Sequence, residues 1–168
     1  MAESALDGHV DRLVHRIAER VEQTGHSVAV AESLTGGQLA AALASAPGSS
    51  DWFRGGVVAY HPEVKYSLLG APRGPVVTGP TAIAMAESTA RLLGADVVVA
   101  VTGVGGPDPD EGKPAGTVVL AVTSSDTPTS VTQREFSGDP VEVMQQTIEV
   151  ALQVMLARLE VRGEPGAS

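Results

Sequence analysis

A chain of 168 residues, 43% of them apolar, is long enough to bury one substantial core, and its lack of cysteine excludes disulfides, thiolate nucleophiles and cysteine-held metals. Twenty acidic against 11 basic residues leave a net charge of -9, which repels phosphate backbones, and two Phe, two Tyr and one Trp offer little for base stacking. Nucleic-acid binding is therefore disfavoured, whereas a small anion held by backbone N–H groups is not.

The opening stretch MAESALDGHVDR carries acids and no apolar core, so it does not read as a secretory signal. The longest strongly apolar run, Val97 to Val101, is too short to span a bilayer. These features predict a soluble, cytoplasmic protein without a membrane partner.

From Asp7 to Thr24, the residues Val10, Leu13, Val14, Ile17, Ala18 and Val21 recur in steps of three and four. That is one face of an amphipathic helix, ended by Gly25. Ser27 to Ala31 reads as a short buried strand that runs into Glu32-Ser33-Leu34-Thr35-Gly36-Gly37. A small-residue helix follows from Gln38 to Ala46, closed by the turn Pro47-Gly48-Ser49-Ser50. Trp52 to Tyr60 reads as a strand interrupted, or bulged, at Gly55-Gly56.

Pro62 suits the first turn of a short helix reaching Leu69. After a Pro/Gly-rich connection, Thr78 and Pro80 announce another helix, with Ile83, Ala86, Ala90 and Leu93 as its buried stripe and Gly94 as its cap. Asp96 to Val101 is the continuous β-branched run of a strand buried on both faces. It opens into Thr102-Gly103-Val104-Gly105-Gly106-Pro107 and an acidic loop reaching Pro114. Thr117–Thr123 and Val131–Phe136 form an antiparallel pair across the polar turn Ser124–Ser130. Asp139 caps a final helix with Val141, Met144, Ile148, Leu152, Met155 and Leu159 on one face, and residues 163–168 are expected to be disordered.

No repeat or linker divides the chain, so one domain is expected over residues 1–168, with its core in 7–160. Helices alternating with strands, then a hairpin, predict an α/β fold: a three-layer α/β/α sandwich with a mixed, mostly parallel sheet. In such folds ligands bind beyond the carboxyl ends of the strands.

Two glycine-rich segments fall at those ends, Ser33–Gly37 and Thr102–Gly106. Either one alone is compatible with an ordinary tight turn, and neither has P-loop or dinucleotide spacing. Ser33, at a strand-to-helix turn, is well placed to attack a carbonyl while nearby N–H groups hold the oxyanion. It needs a base. His9 and His15 lie on the first helix and His26 precedes its strand, which leaves His61 as the histidine near a candidate site. Lys65 follows Tyr60 by five residues across a strand-to-helix junction, so both can point into one cleft; a solvated lysine beside a core tyrosine is the plainer alternative. A lysine acts as a base only if burial or a neighbouring cation lowers its pKa from about 10.4. Asp108, Asp110 and Glu111 read as a solvated acidic loop, with cation binding as the alternative.

In combination these segments are more specific. Ala31-Glu32-Ser33-Leu34-Thr35-Gly36-Gly37 resembles the A-E-S-x-T-G-G signature of the CinA C-terminal domain family. The resemblance continues in order through Pro47-Gly48-Ser49-Ser50, Gly55-Gly56-Val57-Val58-Ala59-Tyr60, Glu63 and Lys65. Farther on it includes Thr102–Pro107, Lys113–Val118 and Gly138-Asp139, and it covers residues 10–160.

This resemblance implies an amidohydrolase that converts nicotinamide mononucleotide to nicotinate mononucleotide and ammonia in pyridine nucleotide recycling. The family's serine falls on Ser33, and its tyrosine and lysine fall on Tyr60 and Lys65. Thr35, Gly36 and Gly37 are then expected around the oxyanion, and Thr102, Gly103, Gly105 and Gly106 around ribose or phosphate. No metal or redox cofactor is implied. The expected partner is a small nucleotide substrate, and relatives with this fold suggest a homo-oligomer. The chain departs from the family pattern at Pro140 and Met144, which replace arginines, and at His61-Pro62, which replaces a Ser-Asn pair. The connections Gly70–Thr78 and Asp108–Gly112 are also short. Two other readings stay open: an amidase for another carboxamide, and a catalytically silent nucleotide-binding or regulatory module.

Overall fold

The computed structural model describes residues 5–161, so the expectation of disorder over 163–168 lies outside the described residues. Five strands form one mixed sheet in the order β2-β1-β3-β4-β5. They are β1 (Val28–Glu32), β2 (Phe53–Val58), β3 (Val97–Gly103), β4 (Thr117–Ser124) and β5 (Ser130–Glu135). β1 pairs in parallel with both β2 and β3, whereas β4 is antiparallel to both β3 and β5. Four of the five strands therefore point the same way, as expected for a mostly parallel sheet.

Alternation along the strands builds the layers. Val97, Val99 and Val101 of β3, with Val118, Leu120 and Val122 of β4, pack on one face. They meet Leu13, Val14, Ile17 and Val21 of α1 (Ala5–Thr24), Leu39 and Leu43 of α2 (Gln38–Ala44), and the inner stripe of α6 (Pro140–Glu160). Val98, Ala100, Val119 and Ala121 point to the opposite face, with Ala29 and Ala31 of β1. There they meet Ala82, Met85 and Ala86 of α5 (Gly79–Leu93). The small residues on both sides of this second interface let α5 lie close to the sheet. Short helices α3 (Ser49–Trp52) and α4 (Pro62–Ser67) flank β2.

Three sequence expectations are corrected. Trp52 belongs to α3 rather than to a strand. The irregularity in β2 lies at Arg54, because Val28 pairs with Phe53 and Ala29 already with Gly55. In α5 the buried set is Thr81, Ala82, Met85, Ala86, Ser88 and Thr89. Ile83, Ala90 and Leu93 pack only partly against the core. Hydroxyls enter this face because they find partners: Ser88 Oγ, for example, donates to the Leu69 carbonyl oxygen at 2.6 Å.

A further correction concerns α6. Asp139 caps it as expected, and with Glu142 it forms a reciprocal capping box. Ile148, Leu152, Met155 and Leu159 face the sheet, but the first turn contributes Val143 to the core rather than Val141, which is 55% exposed. Val141 and the partly buried Met144 instead reach over the carboxyl edge of the sheet.

Candidate active site

β1 is where the strand order reverses: the chain goes out to β2 and returns past β1 to β3. A crevice opens at such a point beyond the carboxyl ends. A cleft of about 600 Å³ occupies it. Ser33 and Leu34 follow β1, Tyr60 and Lys65 follow β2, and residues 102–110 continue from β3. Pro140, Val141 and Met144 close it from α6.

The turn bearing Ser33 is organised by its neighbour. Glu32, with no exposure, accepts from the N–H of Gly37 (3.2 Å), Leu39 (2.9 Å) and Ala40 (3.0 Å). One buried carboxylate thus ties the last residue of β1 to the first turn of α2, where negative charge is favoured. Nothing in the period or spacing of Glu32 marks this task; an acid ending an otherwise apolar strand is the available signal. Gly36, at φ 57°, donates its N–H to the Ser33 carbonyl oxygen at 3.0 Å.

The residues expected around an oxyanion do not face the cleft. The N–H groups of Gly36 and Gly37 are engaged inside the turn, and Thr35, Gly36 and Gly37 do not line the cleft. The N–H groups of Leu34 and Thr35 have no acceptor among the described residues, and Leu34 does line the cleft. Ser33 itself is 7% exposed, and its Oγ makes no hydrogen bond among the described residues.

Lys65 is no solvated helix lysine. It is 1% exposed, and its Nζ donates to the carbonyl oxygens of Ala59 (2.7 Å) and Tyr60 (3.1 Å). Burial pushes its pKa below the ordinary lysine value, and the negative charge of Glu111 partly opposes that shift. A neutral amine has two N–H bonds and one lone pair, so two carbonyl acceptors leave the lone pair available to the cleft that Lys65 lines. Tyr60 is 68% exposed, with its carbonyl holding Lys65 and its side chain at the cleft mouth. Among the described residues no direct hydrogen bond joins Ser33 to Lys65 or to the Tyr60 hydroxyl. His61 caps α4, accepting from the Glu63 N–H at 3.1 Å.

Lowering the pKa of a buried lysine makes folding pH-dependent with a definite sign. Between the folded-state midpoint and about 10.4, the unfolded chain binds more protons than the folded one. Stability contributed by Lys65 therefore rises with pH through that window, and the full cost of burying the ammonium is present below it. Urea titrations of wild type and Lys65→Met across pH 7 to 10 are expected to converge as pH rises towards the upper end. Parallel curves would mean that Lys65 is not desolvated.

The second glycine segment divides by task. Thr102 is buried and donates its hydroxyl to the Val76 carbonyl oxygen at 3.0 Å. At Gly103 a Cβ would stand 2.8 Å from the Thr117 carbonyl oxygen and 2.9 Å from Val118, so glycine is required by strand packing. Gly105 has room, its nearest neighbour being Leu34 Cβ at 3.9 Å. The N–H groups of Gly105 and Gly106 have no acceptor among the described residues, and both residues line the cleft. Gly103→Ala is expected to cost about 2 kcal/mol in chemical denaturation through overpacking, and Gly105→Ala less than about 0.5 kcal/mol. Equal losses would contradict this division.

Fold and cleft together define a mixed-sheet α/β protein whose ligand-sized crevice gathers a serine hydroxyl, a buried amine and free glycine N–H groups. The chain belongs to the CinA C-terminal domain family, which it matches over residues 10–159. A solved structure from Agrobacterium tumefaciens, described as the competence/damage inducible protein CihA, superposes with a TM-score of 0.86 at 31% identity. That match covers 95% of this chain and all (100%) of the other. A CinA superfamily protein from Enterobacter cloacae gives 0.85 at 30% identity, covering 90% of this chain and 92% of its own. A relative from Desulforamulus reducens, named for competence and damage induction, is 40% identical over 151 residues, or 86% of this chain. A CinA-like protein of Mycobacterium sp. (strain JLS) is 38% identical over 142 residues, 81% of this chain. The matches span 36% and 34% of the length of these two relatives. Among the described residues no helix is long and apolar enough to cross a membrane, and no three His, Asp or Glu are grouped to hold a metal ion.

Proposed function

We propose that this protein is an amidohydrolase acting on the carboxamide of a small nucleotide, nicotinamide mononucleotide, by acyl transfer through Ser33. The observation that carries this reading is the pairing, in one cleft, of a serine hydroxyl with no hydrogen bond among the described residues and a buried lysine whose proton is destabilised. Lys65 accepts the Ser33 proton as Oγ attacks the carboxamide carbon. The C=O electrons move onto oxygen, where the Leu34 N–H, beside the nucleophile, is available as a donor. Lys65 returns the proton to the nitrogen, the C–N bond breaks and ammonia leaves. Water then attacks the ester, giving the carboxylate and restoring Ser33. Tyr60 borders the entrance, placed to orient substrate or relay a proton. The N–H groups of Gly105 and Gly106 are available to ribose or phosphate.

Ammonia release from nicotinamide mononucleotide, measured beside a panel of other carboxamides, tests this reading. Turnover of the mononucleotide above the panel supports it, and turnover of another amide alone moves the substrate. The lack of a direct Ser33–Lys65 hydrogen bond favours, as a second reading, a silent nucleotide-binding module. That reading predicts affinity without turnover for every compound.

A further inference from the structure

The acidic loop after β3 is not simply solvated. Asp110 and Lys113 bond to each other through both backbone groups, N–H to carbonyl, at 3.1 and 2.8 Å. Between them Glu111 adopts φ 52°, the one positive φ at a non-glycine position among the described residues. This turn aims the Glu111 carboxylate across the chain, where it accepts from the N–H of Val76 (2.7 Å) and Val77 (2.8 Å). Lys113 Nζ donates to the Val77 carbonyl oxygen at 2.6 Å, and Thr102 holds the Val76 carbonyl oxygen. Residues 76–77, a wall of the cleft, are therefore fastened at both N–H and both carbonyl groups. A left-handed backbone at a residue with a Cβ is strained and persists where surrounding contacts over-determine it.

We propose that Glu111 is a positioning residue of this cleft, strapping residues 76–77 into the wall that they share with Lys65. Its charge is the one that counters burial at Lys65. The other ionisable groups near the amine are differently occupied. Asp108, Asp110 and Tyr60 line the open cleft but, unlike Glu111, make no hydrogen bond to residues 76–77. On α4, His61 is a cap and Glu63 is held by Arg73 at 3.1 Å. Glu32 is engaged at α2, Lys113 at Val77, and the α6 residues of the cleft are uncharged. The role assigned to Lys65 rests on the function proposed above, but the effect of Glu111 on its protonation does not.

The chain contains only two lysines, Lys65 and Lys113, so labelling lysine at 13Cε yields two signals that Lys65→Met assigns. In Glu111→Gln the Lys65 titration midpoint is expected to fall below that of wild type, with Glu111→Asp restoring part of the difference. Loss of amide exchange protection at Val76 and Val77, with an unmoved Lys65 midpoint, would reduce Glu111 to a structural strap and overturn the proposal. Should Glu111→Gln fail to fold, wild type is titrated at low salt and at about 1 M salt. The exposed Glu111 charge is screened there, so the Lys65 midpoint is expected to drop, and an unchanged midpoint overturns the proposal. Where ammonia release is measurable, the acid limb of its pH profile shifts with the midpoint. A shifted midpoint without turnover would instead refute the amidase reading and leave this one standing.

Discussion

Ser33→Ala is expected to lower the rate of ammonia release by about a thousand-fold or more while leaving thermal stability within about 0.5 kcal/mol of wild type. The two halves of this expectation have separate causes. Oγ is the attacking atom in the proposed acyl transfer, and it sits inside the cleft at the strand-to-helix turn. Thr102 donates to Val76, and Tyr60 stands at the mouth. The same Oγ makes no hydrogen bond among the described residues, so its removal leaves no internal partner unsatisfied.

Lys65→Met is expected to give a loss of similar size, because a hydroxyl without its base is nearly as inert as no hydroxyl. The double variant should be little worse than either single one, as groups that act as a unit are non-additive. Folding should survive this change, since methionine fills the buried path of the lysine chain and removes a desolvated charge. Turnover within tenfold of wild type in Ser33→Ala would exclude the acyl-enzyme and leave Lys65 without its proposed partner.

Glu32→Ala is expected to destabilise the fold by about 4 kcal/mol, read from urea denaturation with an unchanged slope. Three N–H groups, that of Leu39 buried and those of Gly37 and Ala40 partly buried, lose their acceptor at once, and each hydrogen bond to a charged group contributes about 1.5–3 kcal/mol before relaxation. Against the usual total of about 5–15 kcal/mol for a domain, that is a large fraction. Glu32→Gln should fall between, because one amide oxygen still accepts while its NH₂ faces donors and the helix N-terminus loses its anion. A cost below about 1 kcal/mol for the alanine variant would mean that α2 is held by packing alone. The turn carrying Ser33 would then not depend on Glu32.

Much of the architecture was legible because hydrophobic period reports burial directly. The three- and four-residue steps of α1, the unbroken run of β3 and the Asp139 cap of α6 were all readable, and boundaries moved by only a few residues. The readings that failed lay where local pattern competes with contacts from elsewhere. Val141 belongs to the apolar period of α6 yet stands over the cleft, because the first turn projects beyond the sheet edge. The stripe of α5 was misassigned because small and hydroxyl residues surround that helix, and period alone does not choose among them.

The cleft was legible in outline. Ser33, Tyr60, Lys65, Thr102, Gly103, Gly105 and Gly106 all line it, whereas Thr35, Gly36 and Gly37 support the turn behind it. Pro140 and Met144, noted only as departures from a family pattern, turn out to be part of its rim.

By itself the sequence determined the α/β class, the order of elements, the positions of both glycine turns and the family, since these depend on period, turn chemistry and ordered motifs along the chain. Only the tertiary structure decided which N–H groups remain free, that Lys65 is desolvated, and that Glu32 and Glu111 each clamp a distant backbone segment. Those properties belong to pairs of residues brought together by folding. A carboxylate looks the same in sequence whether water or three amide hydrogens surround it.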